Sequence, residues 1–95
     1  MFDLSGKVAI VTGSTKGIGK SIAENMAALG AKVVISSRKP AACEKVADEI
    51  KAKGHEATAI PCHIGKKEAL ETLVSETITK YGKIDILVCN AATNP

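Results

Sequence analysis

A glycine-rich segment near the start of the chain has the residue types and spacing of a phosphate-binding loop. Its sequence is Thr12-Gly13-Ser14-Thr15-Lys16-Gly17-Ile18-Gly19. Backbone amides at a helix N-terminus lack internal partners and carry partial positive charge, so they bind phosphate where glycines let it approach. A plain tight turn is the structural alternative. The position of the segment, after an apolar run and before an amphipathic stretch, favours the phosphate-binding interpretation.

Two alternating periodicities predict the elements that must position this loop. Short apolar runs indicate strands, and apolar residues spaced three and four apart indicate helices. The predicted strands span 7–12, 33–35, 56–61 and 84–89. The predicted helices begin near Gly17, Pro40 and Leu70 and stop at Gly30, Gly54 and Gly82. The apolar face of the first helix contains Ile18, Ile22, Met26 and Leu29, with Ala23 and Ala27 beside them. That of the third helix contains Leu70, Leu73, Val74, Thr77, Ile78 and Tyr81.

These elements predict an α/β fold with the order β-α-β-α-β-α-β. Continuous apolar strands are typical of a parallel sheet that is covered on both faces. Right-handed crossovers then favour the strand order 3-2-1-4, a Rossmann-type half sheet with a crevice between strands 1 and 4. The 95 residues allow one domain at most, with an aliphatic core because the chain has one Phe, one Tyr and no Trp.

A P-loop is the rival interpretation of the glycine segment. The run Ser14–Ser21 ends in Gly19-Lys20-Ser21, but a serine stands where a P-loop has its first glycine. Such a protein also needs an acid after an apolar strand to hold magnesium, and Asn90 occupies that place. Two departures weigh against a nucleotide triphosphatase.

Composition excludes several other classes. The net charge is only +3, from 13 basic and 10 acidic residues, and no basic run with interleaved aromatics indicates nucleic acid. The apolar runs are too short to span a membrane. Asp3 stands where a secretory signal would begin its apolar region, so we expect a reducing, cytoplasmic setting, or a peroxisomal one if a signal lies beyond residue 95.

Several reactive side chains have ordinary structural explanations. Cys62 and Cys89 should lie about 14 Å apart in the order 3-2-1-4, too far for a disulfide, and Cys43 belongs to a helix core. The pair Cys62-His63 is too weak a pattern for a metal site, and we expect none. Tyr81 is the only tyrosine and should serve helix packing.

The fixed positions Thr12, Gly13, Gly17, Ile18 and Gly19, together with Asn90-Ala91-Ala92, resemble the glycine and Asn-Ala-Gly motifs of the short-chain dehydrogenase/reductase family. Further segments, Ser36-Ser37-Arg38-Lys39, Cys62-His63-Ile64-Gly65-Lys66 and Asn90–Pro95, resemble its carbonyl/retinal-reductase branch. Ala92 departs from the usual glycine.

The resemblance implies a role for each matching residue. Thr12 should tie strand 1 to the Asn90 loop, the glycine segment from Gly13 to Gly19 should line a pyrophosphate, and Asn90, Ala91 and Ala92 should pass near a ribose. His63 and Ile64 fall where the family places an acid and an apolar residue against adenine. His63 departs from that acid, so its imidazole would accept a hydrogen bond, stack on the base, or simply face solvent.

The resemblance also implies a function. Residues 1–95 would be the N-terminal cofactor-binding half of an NADP-dependent oxidoreductase that reduces small carbonyls or oxidises alcohols and forms a homo-oligomer, a homotetramer by family. The family's catalytic serine, tyrosine and lysine have no counterpart here, since Asp85 stands four residues after Tyr81. We therefore expect a fragment that is inactive alone. A non-catalytic dinucleotide-binding module is the alternative.

The residues after strand 2 predict which cofactor is used. An NAD enzyme carries an acid there for the ribose 2′-hydroxyl, whereas an arginine accommodates the 2′-phosphate of NADP. This chain has Ser36-Ser37-Arg38 and no acid. Arg38, Ser37 and, from the glycine segment, Lys16 would contact the phosphate, so the sequence predicts NADP(H).

Overall fold

A computed structural model describes residues 3–63 and 65–90 of the chain as a parallel sheet flanked by helices. The strands are β1 (Val8–Thr12), β2 (Lys32–Ser36), β3 (Ala57–Ala59) and β4 (Ile86–Cys89), and the helices are α1 (Gly17–Ala28), α2 (Pro40–Ala52) and α3 (Lys67–Tyr81). The sheet order is β3-β2-β1-β4 and every pairing is parallel. Both the α/β class and the predicted strand order are confirmed.

The register of the sheet places the ends of three strands side by side. Thr12 at the end of β1 is paired with Ser36 of β2 on one side and with Cys89 of β4 on the other. The carboxyl ends of these strands therefore share one edge. That edge is where open α/β sheets bind ligands, and here the strand order reverses at β1.

The two faces of the sheet have separate cores. On one face, which we call the α1–α2 face, alternate residues of β1 and β2 pack against the two helices. The buried members are Ala9, Val11, Ala23, Ala27, Ala31, Val33, Ile35, Cys43, Val46, Ala47, Ile50 and Ala57. On the opposite side, the α3 face, Ile10 and Val34 pack with Ile60, Cys62 and Leu73.

Burial departs from the predicted apolar faces in both the first and the third helix. In α1 the predicted Ala23 and Ala27 are buried together with Gly19, whereas Ile18 is 73% exposed. In α3 only Leu73 and Thr77 are buried. Ile22, Met26 and Tyr81 are half-buried and pack against the cores. Four further apolar residues predicted on these faces are exposed: Leu29, Leu70, Val74 and Ile78. Periodicity locates a stripe of apolar residues, but whether a stripe is buried depends on what packs against it.

The last strand also differs from its prediction. β4 begins at Ile86 rather than at 84, and its residues alternate between half-buried and exposed, with Leu87 exposed. Full burial on both faces is confirmed for β1 but not for β4. β1 begins at Val8 and β3 is only three residues long, so both are shorter than predicted.

Asp85 fastens the amino end of the sheet, a role that the sequence left open. Its carboxylate accepts a hydrogen bond from the Val8 backbone N–H at 2.8 Å, and its own N–H donates to the Val8 carbonyl at 2.9 Å. The Lys83 ammonium lies 3.1 Å from the same carboxylate. The bond from Val8, followed by that from Lys83, lowers the pKa of Asp85.

Other side chains occupy structural positions as predicted. Tyr81 packs at the end of α3, where its hydroxyl is 2.6 Å from Thr58 Oγ1, and burial raises its pKa. All three cysteines are free thiols, as expected. Between residues 3 and 90, leaving out residue 64, no helix has the length and apolar character needed to cross a bilayer.

Candidate dinucleotide-binding site

Ser14 anchors the glycine segment to β2. Its backbone N–H donates to the Ser36 carbonyl at 3.2 Å, and its hydroxyl accepts from the Ser36 N–H at 2.9 Å. The hydroxyl also lies 3.4 Å from the Ser36 carbonyl oxygen, to which it donates. Ser14 is fully buried. Its side chain therefore continues the β1–β2 pairing into the loop and is already engaged within the protein.

Thr12 joins β1 to the segment that follows β4. Its hydroxyl donates to the Val88 carbonyl at 3.3 Å and accepts from the Asn90 backbone N–H at 3.1 Å. This contact confirms the predicted link between strand 1 and the Asn90 loop. Because the hydroxyl both donates and accepts, it fixes where the chain leaves β4.

The Asn90 side chain stabilises the turn of the glycine segment at Gly13. Its amide donates to the Gly13 carbonyl at 3.2 Å. Gly13 has φ +63°, and a Cβ there would collide with the Asn90 backbone. Gly19 approaches from α1, and a Cβ on it would collide with the Gly13 carbonyl. Three segments thus meet so closely that only glycine fits at two of the three positions.

The other side of the loop is open. A Cβ on Gly17 would meet nothing within 4 Å, and Lys16 and Ile18 on either side are exposed. Lys16 caps α1 in an extended conformation without a side-chain hydrogen bond to the helix. The first amides of α1 therefore adjoin an open surface with no obstructing side chain at Gly17. This arrangement fits the pyrophosphate of a dinucleotide.

Ser37 and Arg38 lie directly beyond β2. The Ser37 hydroxyl accepts a hydrogen bond from the Lys39 backbone N–H at 3.2 Å and lies 3.3 Å from the Cys43 thiol sulfur. Arg38 is exposed and forms no ion pair with any residue of the described ranges. Ser14 ties the glycine segment to Ser36, the last residue of β2, and Arg38 follows two residues later.

The segment after β3 borders the same region. The Cys62 backbone N–H donates to the Ser37 carbonyl at 2.9 Å, which brings the end of β3 beside the end of β2. The Cys62 side chain is buried, and burial raises the pKa of its thiol. His63 is exposed, and its Nδ1 accepts from the Gly65 N–H at 3.3 Å. Of the two ring nitrogens, Nε2 is therefore the one left to meet a ligand, and in a neutral ring it is a donor.

Most predicted site residues thus converge on one edge of the sheet. The residues found there are Gly13, Ser14, Thr15, Lys16, Gly17, Ile18, Gly19, Ser37, Arg38, His63 and Asn90. Ile64, Ala91 and Ala92 lie outside the described residues. Two participants were missed, Ser36 and Cys43. Ser36 stands at the end of a predicted strand, which is a usable signal, but nothing in the sequence places Cys43 against Ser37.

A parallel sheet whose order reverses at β1, a glycine turn after that strand and an open helix N-terminus together define a dinucleotide-binding α/β domain of the Rossmann type. Residues 7–95 match the profile of the family described as short chain dehydrogenase. The chain belongs to the short-chain dehydrogenase/reductase family. This assignment rules against the P-loop interpretation.

Individual relatives agree with the family assignment. The chain is 52% identical over 92 residues to the short-chain dehydrogenase/reductase SDRA of Arabidopsis thaliana, covering 97% of this chain and 36% of the relative. It is 50% identical over 92 residues to the rabbit (Oryctolagus cuniculus) dehydrogenase/reductase SDR family member 4, covering 97% of this chain and 35% of that protein. The chain therefore spans about a third of the length of the curated relatives it matches.

Solved structures share the fold as well as the sequence. A hydroxysteroid dehydrogenase from Escherichia coli superimposes with a TM-score of 0.90 at 45% identity, covering 92% of this chain and 37% of that one. A 7α-hydroxysteroid dehydrogenase complexed with NADH and 7-oxo glycochenodeoxycholic acid superimposes with a TM-score of 0.87, also at 45% identity, covering 90% and 33%. The family binds nicotinamide dinucleotides, and members are oxidoreductases.

Proposed function

We propose that residues 1–95 are the N-terminal, NADP(H)-binding half of an oxidoreductase that interconverts small carbonyls and alcohols. The complete protein would be a cytoplasmic homo-oligomer. The observation that carries the cofactor assignment is the position of Arg38. It follows β2, whose last residue bonds to Ser14 of the glycine segment, in a stretch that contains no acid.

Charge decides between the two cofactors at this position. A carboxylate after β2 would pair with the ribose 2′-hydroxyl of NAD and repel a 2′-phosphate. The Arg38 guanidinium instead offers several donors to a phosphate, and each charge-assisted bond contributes about 1.5–3 kcal/mol before solvent exposure reduces it. Lys16 of the glycine segment would add a second cation. The similar 7α-hydroxysteroid dehydrogenase was solved with NADH, so membership of the family does not decide between NAD and NADP. The choice between these cofactors therefore rests on the residues that follow β2.

The remaining site residues account for the rest of the dinucleotide. The amides of Gly17, Ile18 and Gly19 would receive the pyrophosphate, and Asn90 with Ala91 and Ala92 would border the ribose. His63 and Ile64 would border the adenine, because the end of β3 adjoins the end of β2. The bound cofactor supplies the hydride. The protein would hold the cofactor at the point where the strand order reverses.

In this proposal, the proton-transfer step belongs to residues other than these 95. The only tyrosine, Tyr81, bonds to Thr58 at the far end of α3 and has Asp85 rather than lysine four residues later. Among the described residues, no tyrosine–lysine pair lies at the site. We propose that the 95 residues alone reduce no carbonyl, and that any turnover belongs to the complete protein. A dinucleotide sensor would bind NADPH equally well but turn over no carbonyl in any form.

The test of cofactor choice is a comparison of NADPH and NADH affinities by calorimetry or cofactor fluorescence. Arg38→Ala should weaken NADPH binding by about tenfold or more, since one charge-assisted bond is lost, and leave NADH binding within about twofold. Lys53→Ala is the matched control. It removes one positive charge at the C-terminal end of α2, whereas Arg38 precedes its N-terminal end.

Two results would contradict the proposal. One is equal affinity for the two cofactors in the unmodified protein. The other is an equal loss of NADPH binding in Arg38→Ala and Lys53→Ala, which would mean that net charge rather than a specific contact attracts the phosphate.

A further inference from the structure

The segments that join each strand to the following helix carry charge of one sign only. They span residues 13–16, 37–39 and 60–66, and all three lie at the carboxyl edge of the sheet. Every residue in them that is fully charged at pH 7 is basic, namely Lys16, Arg38, Lys39 and Lys66. We call these four residues the cationic rim. Their side chains are exposed, and none of them forms an ion pair with any residue that the structure describes.

The segments at the opposite edge of the sheet are balanced in charge. Those that lead into the strands contain one base for every acid: Asp3 with Lys7, Lys53 with Glu56, and Lys83 with Asp85. The last two of these residues form an ion pair at 3.1 Å. The excess of positive charge in the connecting segments is therefore confined to the edge that carries the glycine segment. The modest net charge of the whole chain conceals this asymmetry.

Three members of the cationic rim lie where a cation does not help a helix to form. Lys16, Lys39 and Lys66 are the N-cap residues of α1, α2 and α3, and none makes a side-chain hydrogen bond to the helix it caps. N-caps favour short polar side chains that accept from first-turn amides, and the partial positive charge of a helix N-terminus repels cations. Departures from local preference that recur at one edge of a fold indicate a demand other than folding.

We propose that the cationic rim attracts the anionic dinucleotide from solution and raises its rate of association with the site. This inference rests on the proposed function, in which this edge receives NADP(H). Lys39 and Lys66 are the new participants. They act on the approaching cofactor through their electric field and make no contact with it once it is bound. Charges of one sign lining a cleft raise the local concentration of an oppositely charged ligand and speed its capture by about tenfold or more.

The same field favours NADP(H) over NAD(H) during association. The 2′-phosphate adds about 1.5–2 negative charges at neutral pH to those of the pyrophosphate. Because electrostatic attraction scales with the product of the two charges, the cationic rim should speed the association of NADPH more than that of NADH. Removing charge from the rim should therefore slow NADPH more than NADH.

The test is the association rate constant of NADPH with the complete protein, measured by stopped-flow cofactor fluorescence at an ionic strength of about 0.1 M. The Debye length there is about 10 Å, whereas the five residues of β1 span about 17 Å, so charges at the opposite edge are largely screened from the site. Combining Lys39→Gln with Lys66→Gln should slow association about three- to tenfold. The dissociation rate constant should stay within about twofold. At about 1 M salt, where the Debye length is about 3 Å, the slowing should disappear.

The matched control combines Lys53→Gln with Lys80→Gln. It removes the same charge from the same two helices, but at their C-terminal ends. The association rate constant of this control should change by less than about twofold. The rim variant should unfold at the temperature of the unmodified protein or above it, because two cations leave helix N-termini. Slower association in that variant would then not reflect a folding defect.

Three results would overturn the proposal. One is equal slowing by the rim variant and the control. Another is slowing that persists undiminished at about 1 M salt. The third is faster dissociation with an unchanged association rate, which would make Lys39 and Lys66 contact residues.

Failure of this inference can be told apart from failure of the proposed function. If Arg38→Ala abolishes the NADPH preference while the rim variant associates at the unmodified rate, the cofactor assignment stands and the role of the cationic rim is wrong. If the rim variant slows association as expected while Arg38→Ala leaves the ratio of NADPH to NADH affinity unchanged, the cationic rim stands and the cofactor assignment is wrong.

Discussion

The two faces of the sheet are covered to very different degrees. On the α1–α2 face two helices bury alternate residues of β1 and β2, and the embedded side chains include Val11, Ile35 and Ile50. On the α3 face one helix contributes two buried residues, Leu73 and Thr77. Three apolar neighbours on that helix remain exposed, namely Leu70, Val74 and Ile78. Apolar burial is therefore concentrated on the α1–α2 face.

The candidate dinucleotide-binding site is formed mainly by elements of the better-packed α1–α2 face. The glycine segment leads into α1, and the end of β2 leads into α2, so the helices that pack tightly also place the loop amides and Arg38. Because buried apolar area supplies most of the stability of a domain, the geometry of the site rests on the α1–α2 face. α3 contributes little to the site and should tolerate substitution.

The largest difference between the faces should appear when one isoleucine is shortened on each. Ile50 of α2 is 1% exposed and Ile78 of α3 is 47% exposed. Ile50→Ala should lower the free energy of unfolding by about 2–5 kcal/mol, because it leaves a cavity in a packed core. Ile78→Ala should change it by about 0.5 kcal/mol or less. Chemical denaturation of both variants measures the difference.

Equal losses in the two variants would mean that the α3 face is as well packed as its partner. If Ile50→Ala does not fold, Ile50→Val and Ile78→Val provide a milder pair. The buried member should then lose about 0.5–1.5 kcal/mol.

A smaller effect should separate the site from the rest of the α1–α2 face. Gly19→Ala places a methyl group against the Gly13 carbonyl, so we expect about 1–3 kcal/mol of destabilisation together with much weaker NADPH binding. Gly54→Ala is the control. Its φ is +86° and its Cβ would meet nothing, so it should cost about 1–2 kcal/mol of stability without affecting the cofactor. NADPH affinity that falls equally in both variants would argue against a special packing role for Gly19.

The smallest effect concerns the opposite edge of the sheet and its response to pH. The pKa of Asp85 is lowered by the Val8 N–H and Lys83, so the folded state holds the carboxylate charged more strongly than the unfolded state does. Its contribution is complete above the unfolded pKa of about 3.9 and is lost as the pH falls through the lower folded value. Asp85→Asn should therefore flatten the acid limb of the stability profile.

Thermal unfolding between neutral and acidic pH measures this flattening, with Asp48→Asn as the control. Asp48 pairs with Lys51 on the surface of α2, where an ion pair contributes little. The effect at Asp85 should shrink in high salt, since a quarter of its side chain is exposed. Parallel profiles for Asp85→Asn and the unmodified protein would show that the contact to Val8 carries no net stability.

Local sequence determined the elements and their order. Val8–Val11 and Val33–Ile35 are apolar without interruption, which suffices to predict strands covered on both sides. The glycine segment between a strand and a helix predicts the phosphate-binding turn, and Arg38 after the second strand predicts the neighbouring cation. The predictions of the strands and their order succeed because they depend on backbone conformation and on connection handedness, which residues within one βα unit dictate.

Tertiary structure alone decided which apolar stripes are buried and which polar groups pair. Ile18 fits the periodicity of α1 but lies at its exposed first turn. The bonds from Ser14 to β2, from Asn90 to Gly13 and from Cys43 to Ser37 join residues between 6 and 77 positions apart. Asp85 likewise reaches Val8 across 77 positions. Such contacts exist only once the strands are in register and the helices are docked, so no pattern confined to a local window of sequence contains them.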